Sequence, residues 1–350
     1  MNKTLTTLAA AGGGLALWRG LRARRRIPFR GRTAVISGGS RGLGLVLARR
    51  LADEGANLVL LARTAADLDR ARGELEGRGA AVLALPCDVR EREQVERAVA
   101  KAAERFGRID VLLHDAGVIQ VGPQEHMTEA DYREAMGVHF WGAYYLTEAV
   151  LPHLPTDGTG RVGYVASIGG RIAVPHLAPY SASKFALVGY ADAMRAELSR
   201  RGIRVTTVTP GLMRTGSHPN ALFKGDHEKE YAWFSISDAN PLLSASAQHA
   251  AQQILDAVRH GDPALTITIP AKLGAALDGL FPGLTGTVMK LAEHLLPAPA
   301  GWSGDRRQTG WESFSAASPS VLTRPADEAV AENNELRGHA PPVPTNGEAG

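Results

Sequence analysis

The sequence predicts an α/β domain: a doubly wound parallel sheet of about seven strands with helices on both faces, plus a helical C-terminal extension. Three observations carry that expectation. Short, wholly apolar runs recur between Arg32 and Pro270, each closed by Gly, Pro or polar residues, as strands covered on both faces should be. Longer amphipathic segments separate them. A glycine-rich turn follows the first run, at the carboxyl end of a strand, where ligands of such sheets bind.

Taken in order, the expected strands are residues 33–37, 57–62, 81–85, 109–114, 161–167, 204–209 and 265–269, and the expected helices are 43–54, 65–77, 91–106, 129–151 and 182–200. Residues 271–296 carry Leu273, Leu277, Leu280, Phe281, Leu284, Val288, Leu291 and Leu295 near helical spacing, and Pro282-Gly283 divides them into two helices expected to pack on the body. Residues 297–350 are rich in Pro, Ser and Gly and read as a flexible polar tail with one short helix near 326–335. The chain thus divides into an apolar then Arg-rich leader (1–30), the α/β domain (31–270), the apolar extension (271–296) and the tail (297–350). No internal repeat is visible.

Charge separates the leader from the body. The net charge is +3, yet the first 32 residues carry +8 and no acid, so the remainder is at −5. That argues against a nucleic-acid-binding core. Residues 4–18 are uncharged and as a helix would extend about 22 Å, against roughly 30 Å of bilayer hydrocarbon. With the arginines after it, the segment 4–26 is expected to tether the body to the cytoplasmic face of a membrane. The single cysteine, Cys87, excludes an internal disulfide and a cysteine-based zinc site, in keeping with a reducing compartment. No metal-ligand spacing is present among the histidines.

The chemistry begins at Ser37-Gly38-Gly39-Ser40-Arg41-Gly42-Leu43-Gly44. Gly38 permits a tight turn, while Gly42 and Gly44 let the backbone approach a pyrophosphate at the helix N-terminus, where free N–H groups and the dipole favour an anion. After the second strand stands Arg63, where an NAD site would place an acid; with Arg41 it supplies two guanidinium groups for a 2′-phosphate, so NADP(H) is expected over NAD(H). At the carboxyl end of the fifth strand stands Ser167, and thirteen residues on is Tyr180-Ser181-Ala182-Ser183-Lys184. Tyr180 and Lys184, four apart on a helix, share one face, so the ammonium is expected to draw the phenol toward phenolate. Tyr180 is the expected acid/base, and Ser167 the expected donor to the substrate oxygen.

This set resembles the short-chain dehydrogenase/reductase superfamily over roughly residues 31–270. The resemblance implies a Rossmann-type fold and carbonyl–alcohol chemistry. It assigns the glycine loop to cofactor phosphate, Asp88 to adenine, Ala116 and Gly117 to the cofactor cleft, and Ser167, Tyr180 and Lys184 to catalysis. Pro210-Gly211 with Thr215 map onto the motif that approaches the nicotinamide amide or a cofactor phosphate. Three departures stand out. His114-Asp115-Ala116-Gly117 replaces the usual Asn-Asn-Ala-Gly. His139 stands where many members carry a catalytic Asn, and is expected to hold a water and exchange protons. The usual glycine-rich ending gives way to Pro270 and the apolar extension.

Residues 215–243 should form a lid in which Leu222, Phe223, Tyr231, Trp233 and Phe234 line an apolar pocket. A small hydrophobic ketone, aldehyde or alcohol is the expected substrate. Phe140, Trp141, Tyr144 and Tyr145 suit packing or a subunit interface, and the resemblance implies a homodimer. Two other readings remain: a catalytically weak NADP(H)-binding sensor or scaffold, and a non-redox member such as an epimerase or dehydratase.

Overall fold

Seven parallel strands form the central sheet of the computed structural model, which describes residues 17–342. They are β1 (Thr33–Ser37), β2 (Asn57–Ala62), β3 (Val82–Pro86), β4 (Val111–His114), β5 (Arg161–Val165), β6 (Arg204–Pro210) and β7 (Ala264–Ile267), in the spatial order β7-β6-β5-β4-β1-β2-β3. Strand order reverses at β1, which pairs with β2 on one side and β4 on the other, so a ligand crevice opens at their carboxyl ends.

Alternation along each strand sends side chains to two separate cores. Ala34 and Ile36 join Leu45, Leu51 and Ile254 on one face; Val35 joins Leu112, Leu146 and Leu187 on the other. The helices that supply these residues are α1 (Gly42–Asp53), α2 (Ala65–Gly77), α3 (Arg92–Phe106), α4 (Glu129–Met136), α5 (Gly142–Val150), α6 (Ala178–Ser199), α7 (His227–Ala239) and α8 (Ala247–His260). The doubly wound sheet with helices on both faces is therefore the architecture of the chain. The helix expected over 129–151 contains a π turn at Gly137–Trp141, which carries His139.

The arginine-rich leader grips the edge of the sheet opposite the crevice. Residues 17–24 are helical. Arg22 pairs with Asp262 at 2.7 Å, and the buried Arg161 guanidinium donates to the Arg25 carbonyl at 2.6 Å. Residues 4–16 of the expected membrane segment lie outside the described residues. Among those described, no helix is long and apolar enough to cross a membrane.

Two expectations for residues 271–350 are overturned. The apolar extension does form two helices, α9 (Ile269–Leu280) and α10 (Pro282–Glu293), but their apolar stripe is not buried on the body: Ala271 is their one buried residue and Leu280 is 72% exposed, while Glu293 touches His176 at 3.4 Å. They emerge from β7, the edge strand, beyond which no further strand of the sheet lies among the described residues. Conversely, the tail does not hang free. Gln308–Thr309 pairs antiparallel with Leu222–Phe223, and α11 (Arg324–Glu332) buries Ala326, Ala329 and Val330. Backbone pairing and three small apolar residues at helical spacing hold a segment whose composition is otherwise polar.

Candidate active site

The crevice at the strand ends is lined by Gly38, Ser40, Arg41, Gly42, Leu43, Arg63, Asp88, Ala116, Gly117, His139, Tyr180, Lys184 and Thr215, so most of the expected site residues share one cleft. The turn from β1 into α1 is tight: a methyl group on Gly44 would lie 2.3 Å from the Gly38 carbonyl oxygen. Ser37 closes the neighbouring loop, its Oγ accepting from Asp115 N and Ala116 N at 3.3 Å each. Arg63 projects from the end of β2, exposed. Asp88 faces the same cleft, with its carboxylate clasped by Arg90 at 2.6 Å and held below the ordinary range. The Pro210-Gly211 turn leaves the end of β6, and Thr215 beyond it is buried, its Oγ donating to Ser217 Oγ at 2.9 Å.

The reactive group sits at the opposite end of the cleft. Ser167 begins the single turn after β5 (Ile168–Gly170), and its Oγ accepts from Gly169 N at 3.0 Å, so its own O–H can turn toward the Tyr180 phenol or a ligand oxygen. Tyr180 and Lys184 lie on the first turns of α6, with Lys184 Nζ 5.6 Å from the phenol ring centre. Lys184 Nζ donates to the Val165 carbonyl at 3.0 Å. Burial lowers its pKa to about 8, with Asp115 opposing. The expected drop in the Tyr180 pKa is reversed by burial. Burial pushes it up to about 12, against the Ser167 hydrogen bond, because desolvating a phenolate outweighs that one bond. Tyr180 is therefore a held proton.

His139 is wholly buried, and both ring nitrogens are engaged: Nε2 accepts from Val118 N at 3.2 Å, so the Nδ1 proton points at Ser183 Oγ, 2.7 Å away. Ser183 in turn donates to the Tyr180 carbonyl at 2.8 Å. Burial, then the Lys184 charge, hold the ring well below its ordinary pKa. His114 is likewise neutral, pushed down to about 3 by burial, with Nδ1 2.9 Å from Ser37 Oγ. Its neighbour Asp115 is pushed up to about 7 by burial, with the Lys184 charge and the Gly44 N–H opposing.

The lid aromatics are placed differently from expectation. Phe223, Tyr231 and Phe234 pack with Val121 and Leu177 in a cluster of their own, and Leu222 alone of the five faces the cleft. The apolar wall is instead Val118, Ile119, Met213 and Leu222. Sequence reasoning also missed Glu335, which enters the cleft from the tail, 2% exposed, and pairs with Arg41. No local pattern announces it, since the two residues are 294 apart. Among the described residues no cluster of metal-ligating side chains occurs.

Comparison with known proteins agrees with this geometry. The sequence pattern of the short chain dehydrogenase family matches residues 32–222. The chain is 38% identical over 186 residues to the oxidoreductase UcpA of Salmonella typhimurium, covering 53% of this chain and 70% of that protein. A dehydrogenase/reductase of Sinorhizobium meliloti superposes with a TM-score of 0.62 at 30% identity, covering 72% of this chain and 99% of that one. A short chain dehydrogenase of Burkholderia cenocepacia, solved in complex with NADP, gives 0.62 at 27% identity, covering 70% and 100%. With its reversed-order sheet, its glycine turn and these relatives, the chain belongs to the short-chain dehydrogenase/reductase family and is an oxidoreductase of the alcohol–carbonyl pair.

Proposed function

We propose that the protein is an NADP(H)-dependent oxidoreductase that interconverts a carbonyl and an alcohol on a small hydrophobic molecule, with Tyr180 as its acid/base. The observation that carries the reading is Tyr180, with Ser167 and Lys184 around it, at one end of a cleft whose other end is the glycine loop. The loop fits a phosphate: the Glu335 carboxylate already lies against it, an anion in an anion's place. Gly38, Ser40, Gly42, Leu43 and Gly44 would hold the pyrophosphate, Arg41 and Arg63 the 2′-phosphate, and Asp88, Ala116 and Gly117 the adenosine side. Pro210, Gly211 and Thr215 would flank the nicotinamide. The bound nicotinamide supplies or accepts the hydride.

The chain's own residues supply the rest. The protonated Tyr180 phenol donates to the carbonyl oxygen as negative charge grows there, and the Ser167 hydroxyl donates to the same oxygen. Lys184 stabilises the phenolate left behind and anchors the ribose side of the cleft. His139 acts through Ser183 as a positioning residue, fixing the backbone of the turn that carries Tyr180. Val118, Ile119, Met213 and Leu222 favour an apolar substrate body. A homodimer across α5 and α6 belongs to the same reading, with Trp141 and Phe185 left 45% and 43% exposed.

NADPH consumption over a panel of hydrophobic ketones and aldehydes tests this. Tyr180→Phe is expected to lower kcat by about 10²–10⁴-fold while NADPH still binds. Undiminished turnover in that variant would remove Tyr180 from the mechanism.

A further inference from the structure

Beyond α11 the chain turns back and lies along the glycine loop. The Asn333 carbonyl accepts from Gly42 N at 2.9 Å, taking a donor at the start of α1. Asn334, with a left-handed φ of 60°, donates through Nδ2 to the Ser40 carbonyl at 2.8 Å. Glu335 then enters the cleft. Its carboxylate pairs with Arg41 and accepts from Asn220 Nδ2 at 2.7 Å, and a methyl group built on Gly42 would lie 2.7 Å from Oε1. An N–H donor, a guanidinium and the open face of a glycine are what a dinucleotide phosphate needs, and here one tail segment uses all three.

A phosphate and this carboxylate cannot both occupy that cradle. They would compete for the same donors, and two anions would face each other where Glu335 is almost wholly buried and poorly screened. The segment that has to move is short. α11 stays anchored by the buried Ala326 and Val330 and by the His218–Asp327 contact at 3.0 Å, so residues from 333 onward can lift without unfolding the rest. We propose that Asn333–Glu335 is a built-in competitor of the cofactor, seated on the glycine loop in the free protein and displaced when NADP(H) enters. The proposal rests on the cofactor site assigned above and adds regulation to it: retention of the segment lowers the apparent cofactor affinity.

The test is NADPH titration, followed by the fluorescence of the nicotinamide, on the full chain and on Glu335→Ala and Glu335→Gln. The Gln variant keeps the side-chain volume and the Asn220 contact, and thermal melting confirms that each variant is folded. Glu335→Ala is expected to bind NADPH about tenfold more tightly, with Glu335→Gln intermediate. In the wild type, NADPH is expected to speed proteolytic cleavage within residues 333–342. Equal or weaker NADPH binding by folded Glu335→Ala overturns the proposal, as does protection of the segment by NADPH. Absence of NADPH binding in all three proteins is a different failure: it removes the cofactor site, and the competitor with it.

Discussion

The two C-terminal additions to the sheet have exchanged the places their compositions suggest. The apolar hairpin of α9 and α10 stands outside, with Leu273, Leu284 and Leu291 all more than half exposed, while the polar tail after it is inside, with Asn333 and Glu335 buried. Fully burying a leucine is worth about 1.5–3 kcal/mol, so the hairpin forgoes much of what its sequence offers. The tail shows the reverse. It buries polar groups, which is costly when they lack partners, but each side-chain head is met: Asn333 by Arg49 and the Thr215 carbonyl, Asn334 by Arg70 and Ser40, Glu335 by Arg41 and Asn220. Burial in this molecule follows the presence of a complementary surface. Apolar content alone does not secure it.

That contrast can be broken by mutation, and the largest effect is expected in the tail. Val330→Asp puts an unpaired charge on the buried face of α11 and should cost on the order of 3–5 kcal/mol, seen as a lower melting temperature and a protease-sensitive tail. An unchanged melting temperature would mean that the tail is not docked. Gly216→Ala comes next, at about 2–4 kcal/mol: Gly216 has φ +82°, and a methyl group there would lie 2.5 Å from the Ala329 backbone. Its melting curve should resemble that of a tail deletion.

A subtler edge of the comparison is pH. Burial, opposed by Arg41 and Asn220, raises the Glu335 carboxyl above its ordinary value. The docked tail therefore binds a proton more tightly than the released one, so docking strengthens as pH falls toward the ordinary carboxylate range and weakens as pH rises through the raised value. His218 also faces this carboxyl, so Glu335→Gln is the control: the slope of tail cleavage against pH should flatten in that variant. The smallest effect belongs to the hairpin. Leu273→Gln or Leu291→Gln should change stability by no more than about 0.5 kcal/mol, because neither side chain leaves a packed site. A loss of several kcal/mol in either would show that the hairpin is packed in solution.

Much of the site was legible along the chain because its parts are local. The turn Gly38–Gly44 is one strand end and one helix start, and Tyr180 and Lys184 are one helical turn apart, so spacing alone brings them to the same face. Ser167 was legible as the residue at the carboxyl end of an expected strand. His139 was found at its position, but its partners Val118 and Ser183 come from other elements, and they decide that its ring is a neutral, doubly bonded brace. The phenol is a similar case. Spacing placed the ammonium beside it, but burial set its pKa, and burial belongs to the whole cleft.

By itself the sequence determined the doubly wound sheet, the glycine loop and the Ser167, Tyr180 and Lys184 arrangement, since each rests on periodicity or spacing within a few dozen residues. Only the tertiary structure decided that the apolar hairpin stays exposed among the described residues and that Glu335 meets Arg41 across 294 residues. Contacts of that range depend on where the folded sheet ends and which donors it leaves unpaired, and no local pattern encodes either.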